Sequence, residues 1–72
     1  MNRYKVESGD LRAIEVAKNH EAAVIAVFKR KPPKNPSLLT RVKRLSPGVG
    51  RGVWYYIASE HLLRQAGYKV RL

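Results

Sequence analysis

Cysteine is absent from the 72-residue chain, which excludes disulfides, thiol chemistry and zinc sites built on cysteine. Long apolar stretches are absent too. The longest, Ala22 to Phe28, falls far short of the roughly 20 residues that cross a membrane. The first residues alternate in polarity and lack the apolar segment of a signal peptide. We therefore predict a soluble, cytoplasmic protein with no membrane partner.

The chain is also too short to form a large hydrophobic core. A chain of 72 residues suffices for one domain and buries only about 60% of the surface that it exposes when unfolded. We expect a thin core, in which one layer of helices covers one face of a sheet and leaves no room for a deep cofactor cavity. The prediction is a single domain over residues 1–72 that binds no cofactor and has a loosely attached or disordered tail at 69–72.

Acidic residues are scarce, because five Asp and Glu stand against fifteen Lys and Arg for a formal net charge of +10. Residues 1–28 hold four charges of each sign, whereas residues 29–72 hold eleven basic residues and Glu60 alone. Such self-repulsion costs stability, and solubility needs only about 2–8 charges on a small domain. A polyanionic ligand accounts for the excess. A basic surface without a partner is the alternative.

The first half of the chain shows strand and helix patterns in succession. Polar and apolar residues alternate over 3–7 and 11–17, which predicts an antiparallel hairpin with a turn at Ser8-Gly9-Asp10. The segment His20 to Lys31 is predicted to be a helix capped by Asn19, in preference to a third buried strand. The prolines of 32–37 end it and form an extended connector.

The second half repeats this plan. Alternation predicts strands at 37–45 and 53–58, separated by a glycine-rich loop at 46–52. A short helix, Glu60 to Ala66, is predicted to be capped by Ser59 and closed by Gly67, followed by a tail that has a strand-like pattern. The predicted fold is α+β, in the order ββαββα, with a four-stranded, mainly antiparallel sheet and both helices packed on one face.

The basic residues of the second half are the candidate nucleic-acid-binding site, because cations bind phosphates by releasing counterions. We expect the connector, the glycine-rich loop and the exposed face of the third strand to merge into one positive surface. A helix C-terminus and an edge strand also favour basic residues, which accounts for some of these charges. The predicted binding residues are Lys29, Arg30, Lys31, Lys34, Arg41, Lys43, Arg44 and Arg51, with Trp54 and Tyr56.

Two interpretations of the aromatic strand stay open. Val53, Tyr55 and Ile57 share one face, Trp54 and Tyr56 the other, and alternation does not decide which face is inward. If Trp54 and Tyr56 are outward, they are suited to stack on bases. If they are inward, they fill the thin core.

Residues 51–56, Arg-Gly-Val-Trp-Tyr-Tyr, resemble the basic–glycine–aromatic strand of RNA-recognition motifs over six residues. That fold has the order strand-helix-strand-strand-helix-strand, which differs from the order predicted here. The glycine-rich loop itself is not followed by a helix and lacks the Gly-Lys-Ser/Thr ending of nucleotide-binding loops, which favours a plain hairpin loop. We therefore assign the chain to no family.

Catalysis has little support in the sequence. His20 and His61 both fall in first turns of predicted helices, and no histidine or carboxylate pair has metal-binding spacing. We predict a non-enzymatic nucleic-acid-binding module without metal. The alternative is a protein–protein interaction or homo-oligomerisation module with an acidic partner. An anionic membrane surface ranks below both, because the cations do not share one amphipathic helix.

Overall fold

Two ββα units follow one another along the chain, as the sequence predicts. The computed structural model describes residues 1–35 and 37–69. Its elements are β1 (Asn2–Ser8), β2 (Leu11–Ala17), α1 (His20–Arg30), β3 (Leu39–Arg44), β4 (Trp54–Ala58) and α2 (Ser59–Gln65). The predicted tail at 69–72 lies outside the described residues apart from Lys69, as does Pro36 of the connector.

The four strands form one antiparallel sheet in the order β2-β1-β3-β4. The hairpin pairs β1 with β2, and β3 joins the other side of β1, with Val6 opposite Val42. On its far side β3 pairs with β4, which places Val42 opposite Tyr55. Because directly opposed residues of antiparallel strands share a face, this register assigns every strand residue to one side of the sheet.

The core lies between one face of the sheet and both helices. Val6 and Val42 of the central strands are fully buried under Val27 and Phe28 of α1 and Leu62 of α2. Burying side chains of this size stabilises a fold by about 1.5–3 kcal/mol each. The predicted α+β architecture, with the helices on a single face, is confirmed.

The helix predicted from His20 is confirmed, and its signals act locally. Asn19 Oδ1 accepts a hydrogen bond from the Ala22 N–H at 2.7 Å, so the predicted cap is present.

At the end of α2, Gly67 adopts a positive φ of 98°. The Gly67 N–H donates to the Arg64 carbonyl, and the next N–H, of Tyr68, donates to Leu63, which together form a Schellman ending.

Ser59 does not cap α2, and that prediction is wrong. Ser59 is the first residue of the helix, the cap position is Ala58, and α2 has no side-chain cap. The Ser59 hydroxyl is fully buried and hydrogen-bonds to Thr40 Oγ1 at 2.7 Å, while Thr40 donates to Ser8 at 3.0 Å. This chain of hydroxyls satisfies its members inside the core, which explains why Ser59 does not turn toward the helix end.

No helix in the described part of the chain is long and apolar enough to cross a membrane.

The cap on α1 is open to a direct test. Asn19→Ala removes the acceptor of the Ala22 N–H and is expected to lower the free energy of unfolding by about 1 kcal/mol. Asn19→Asp keeps an acceptor in place and is the matched control, expected to remain within a few tenths of a kcal/mol of the wild type. Urea unfolding followed by circular dichroism measures both variants. Equal losses in the two variants would contradict a capping role.

Candidate nucleic-acid interface

The face of the sheet opposite the helices is open to solvent along all four strands. The register and the burial of alternate residues place twelve side chains on it. We call this surface the open face. Its members are Arg3, Lys5, Glu7, Arg12, Ile14, Val16, Leu39, Arg41, Lys43, Trp54, Tyr56 and Ala58.

Five cations lie on the open face against one carboxylate, that of Glu7. Three of the five, Arg3, Lys5 and Arg12, come from the N-terminal hairpin, which the distribution of charge along the sequence did not single out. Alternation along each strand identifies them. The neighbours of Arg3, Lys5 and Arg12 in sequence point toward the helices, so these three side chains point to the other face. The face is therefore basic through contributions from both halves of the chain.

Trp54 and Tyr56 lie on the open face, and the interpretation that they fill the core is wrong. The register sets Tyr55 opposite the buried Val42, so Tyr55 faces the helices and its neighbours on β4 face away from them. Tyr56 is 59% exposed. The structure thus leaves two aromatic rings side by side on one strand in contact with solvent.

Cations from β3 pack against the indole ring. The guanidinium carbon of Arg41 lies 4.2 Å from the centre of the Trp54 ring, and the Lys43 ammonium lies 4.7 Å from it. Both distances are within the roughly 6 Å range of cation–π attraction. Of the residues predicted to bind nucleic acid, these three and Tyr56 are brought together on the open face.

Glu7 fixes the position of Arg41. Arg41 Nε donates to Glu7 Oε1 at 2.8 Å, and Nη2 donates to the same oxygen, while Lys5 Nζ lies 3.6 Å from Oε2. The hydrogen bond from Arg41 lowers the pKa of Glu7 against the opposing effect of burial, and it raises the pKa of Arg41. At neutral pH the pair is fully ionised, which restricts the guanidinium to the surface of Trp54.

Arg44 is not on the open face, which its place on β3 explains. It follows Lys43 directly, so its side chain emerges on the helix side of the sheet, opposite Tyr4. Its Nη2 donates to the Pro47 carbonyl at 2.9 Å and to Asn2 Oδ1 at 3.1 Å. Its guanidinium also lies so close to Gly48 that a Cβ there would be 2.6 Å from Nη2. Arg44 therefore holds the β3–β4 loop.

The other predicted cations divide between the two ends of the sheet. Lys31 and Lys34 border a cleft beside the turn from β1 to β2, whereas Arg51 belongs to the β3–β4 loop at the end where β1 begins. The connector and the glycine-rich loop therefore lie at the two ends of β3, with its open face between them, and their merging into one positive surface stays a prediction.

Lys29 and Arg30 lie in the last turn of α1, on the helix side of the molecule. Arg30 Nη1 donates to Glu15 Oε1 at 2.6 Å, which neutralises part of the charge there. Arg12 lines the same cleft as Lys31 and Lys34 and also borders the open face. Arg12 thus lies between the connector cations and the open face.

His20 lies on the helix side in an aromatic stack. Its ring is parallel to Tyr55 at 4.1 Å and meets the edge of Tyr4 at 4.7 Å. Burial, with a smaller effect of the nearby Arg44, lowers the pKa of His20. Its Nε2 is buried and has no hydrogen-bond partner within the part of the chain that the structure describes. Burial in this stack therefore favours the neutral form of His20.

Within residues 1–35 and 37–69, no three His, Cys, Asp or Glu side chains are close enough to hold a metal ion. Comparison of the chain with protein-family models, curated proteins and solved structures finds no match. The candidate interface is therefore defined by its own geometry and charge.

The His20 stack predicts a specific dependence of stability on pH. The pKa of His20 in the folded protein is below its usual value of 6.5, so on acidification the unfolded chain takes up its proton first. The full stability is present above pH 6.5, and the free energy of unfolding falls as the pH decreases below it. Urea unfolding between about pH 5 and 7.5 measures this slope.

His20→Phe retains an aromatic ring in the stack and is expected to remove this part of the slope. His61→Gln, which changes an exposed histidine that pairs with Glu21, is the matched control. If the free energy of unfolding falls equally with decreasing pH in the wild type and in His20→Phe, the pH dependence does not come from His20.

Proposed function

We propose that this chain is a non-enzymatic module that binds single-stranded nucleic acid across the open face. The observation that carries the proposal is the pair of solvent-facing aromatic rings, Trp54 and Tyr56, beside the cations of β3. Rings of this kind stack on unpaired bases, and adjacent cations contact the phosphates between them. The cytoplasmic location predicted from the sequence is part of the proposal.

Single strands suit this surface better than a duplex. The faces of duplex bases are covered by their neighbours in the stack, so aromatic side chains reach them only where the strand is unpaired. Trp54 and Tyr56 are two residues apart on one strand, so their side chains lie on the same face about 7 Å apart along it. This arrangement offers stacking positions for two successive bases.

The cations of the open face supply affinity without sequence preference. Lys5 and Lys43 lie directly opposite each other on β1 and β3, and Arg3 and Arg12 lie toward the two ends of the hairpin. Each phosphate that such a group neutralises releases condensed counterions, which makes the affinity fall as salt rises. Phosphate contacts then position the strand, and the stacked bases fix its register.

The stacking contribution is measured by aromatic substitution. Trp54→Ala and Tyr56→Ala are each expected to weaken binding of a labelled single-stranded RNA about tenfold or more, because stacking contributes about 1–3 kcal/mol per base. Tyr68→Ala removes an aromatic ring whose hydroxyl contacts α1, away from the open face, and is the matched control. Fluorescence anisotropy at low salt gives the affinities. Unchanged affinity in both open-face variants would refute base stacking.

Two double variants, which each remove two positive charges from different faces of the molecule, locate the phosphate contacts. Lys5→Ala with Lys43→Ala removes two cations from the open face, and Lys29→Ala with Arg64→Ala removes two from the helices. The first pair is expected to reduce the salt dependence of log Kd by about 0.7 for each phosphate that is no longer neutralised. The second pair should leave it near the wild-type value. Equal effects would indicate a diffuse attraction without a defined face.

Self-association is the second candidate, and the exposed edge of the sheet favours it. Strand β4 pairs only with β3 in the described sheet, so its outer backbone groups are free to pair with another strand. A second copy or an acidic protein segment would occupy this edge. Light scattering over a range of concentrations separates the candidates, because a salt-independent dimer with no affinity for oligonucleotides supports this one and contradicts the first.

A further inference from the structure

Glu7 is an exception on a surface otherwise suited to a polyanion. It lies on a central strand near the β1–β2 turn, with Arg12 on one side in β2 and Arg41 on the other in β3. A carboxylate at this point repels phosphate, so it does not contribute to general affinity. Its side chain is 11% exposed, and hydrogen bonds from Arg41 keep it ionised.

A cleft opens beside this carboxylate on the open face. It has a volume of about 300 Å³. Its lining consists of Glu7, Arg12, Leu39, Arg41 and Tyr56, together with Gly9 and Ser37. This volume is at the lower end of the range of small-ligand sites, which runs from roughly 300 to 1,000 Å³. The cleft therefore combines an aromatic ring, an apolar side chain and a fixed hydrogen-bond acceptor. Its volume suits one flat ligand group, such as a single base.

The donors that contact Glu7 are unevenly divided between its two oxygens. Both hydrogen bonds from Arg41 end on Oε1, whereas within residues 1–35 and 37–69 Oε2 accepts no hydrogen bond and has the Lys5 ammonium 3.6 Å away. An ionised carboxylate only accepts hydrogen bonds, so a ligand group at Oε2 must bring an N–H or O–H donor. Phosphate oxygens and carbonyl oxygens are excluded there.

We propose that Glu7 determines base specificity, by accepting a hydrogen bond from the exocyclic amino group of a base stacked on Tyr56. This inference rests on the proposed single-strand binding and adds to it a preference for amino-bearing bases. Cytosine presents its N4 amino group as a donor, a pairing that glutamate makes with this base. Uracil has a carbonyl oxygen at the same position, and its lone pairs meet the carboxylate unfavourably. The donor that uracil does have, the ring N3–H, lies between two carbonyl oxygens, so a carboxylate that reaches it also meets their lone pairs.

Cytosine and uracil oligonucleotides make the sharpest comparison. The two bases have the same ring size and differ at position 4 and at the adjacent ring nitrogen. Oligocytidylate is expected to bind the wild-type chain about tenfold more tightly than oligouridylate of equal length, which is the effect of one hydrogen bond to a charged acceptor. Fluorescence anisotropy with both labelled RNAs at one low salt concentration measures the ratio.

Two variants of Glu7 separate contact from charge. Glu7→Gln offers a donor as well as an acceptor, so the ratio is expected to fall to within about twofold while both affinities rise because a repulsive charge is removed. Glu7→Asp keeps the charge but shortens the side chain by one methylene, and the ratio is expected to fall with no general gain in affinity. Glu60→Gln, on α2, makes the same change of charge away from the open face and should keep the wild-type ratio.

The outcomes distinguish this inference from the proposed function. Equal binding of both RNAs by the wild type, with the dependence on Trp54 intact, overturns the role of Glu7 and leaves single-strand binding in place. A wild-type ratio that persists in Glu7→Gln also overturns it. Absence of binding to either RNA at low salt removes the proposed function and this inference together. Circular dichroism shows whether each variant is folded. If a variant is unfolded, the ratio of the two affinities in the wild-type chain still tests the inference.

Discussion

The antiparallel pairing of β1 with β3 is the contact on which the rest of the structure depends. It joins residues 4–7 to residues 41–44 and so links the two ββα units into one sheet. The fully buried Val6 and Val42 are opposed in this pairing, and both helices cover them. On the other face the same register sets Glu7 beside Arg41. One long-range interaction therefore builds the core and aligns the charged groups of the open face.

The two helices leave one face of the sheet uncovered. Two short helices of 11 and 7 residues cover one side of a four-stranded sheet, and nothing in the described residues covers the other. Apolar positions on that side, such as Ile14 and Val16, are each 55% exposed. Exposed apolar and aromatic groups in a small domain commonly mark a surface of interaction. Cations interspersed among them favour an anionic partner with flat apolar groups, a combination that nucleic acids provide.

The sequence predicted the elements better than the arrangement of the site. Asn19 and Gly67 act within a few residues of themselves, so their roles follow from local patterns. Alternation likewise separates Trp54 from Tyr55, but only the pairing with β3 decides which of them faces outward. Ser59 has the composition of a cap, yet its hydroxyl bonds to Thr40, a residue that is distant in sequence.

The errors about the cations have the same origin. Lys43 and Arg44 are neighbours in sequence and lie on opposite faces of β3, so one belongs to the open face and the other holds a loop. A count of charges along the chain treats them alike. It also treats the N-terminal hairpin as neutral, whereas three of its cations and only one of its carboxylates, Glu7, lie on the open face. Glu15 pairs with Arg30 on the helix side. Lys5 and Arg12 remain on the open face.

The electrostatics of the open face are unfavourable in the absence of a ligand, and this is an argument for a polyanionic one. Lys5 and Lys43 are directly opposed on neighbouring strands, an arrangement of like charges that destabilises a sheet. Glu7 offsets part of this repulsion through Arg41 and Lys5, and the ring of Trp54 attracts Arg41 and Lys43. The phosphates of the proposed ligand would relieve the remaining repulsion. A ligand that binds the folded state alone also stabilises it by mass action. Under the proposed function, the open face would trade stability of the free protein for affinity at the place where the aromatic rings are exposed.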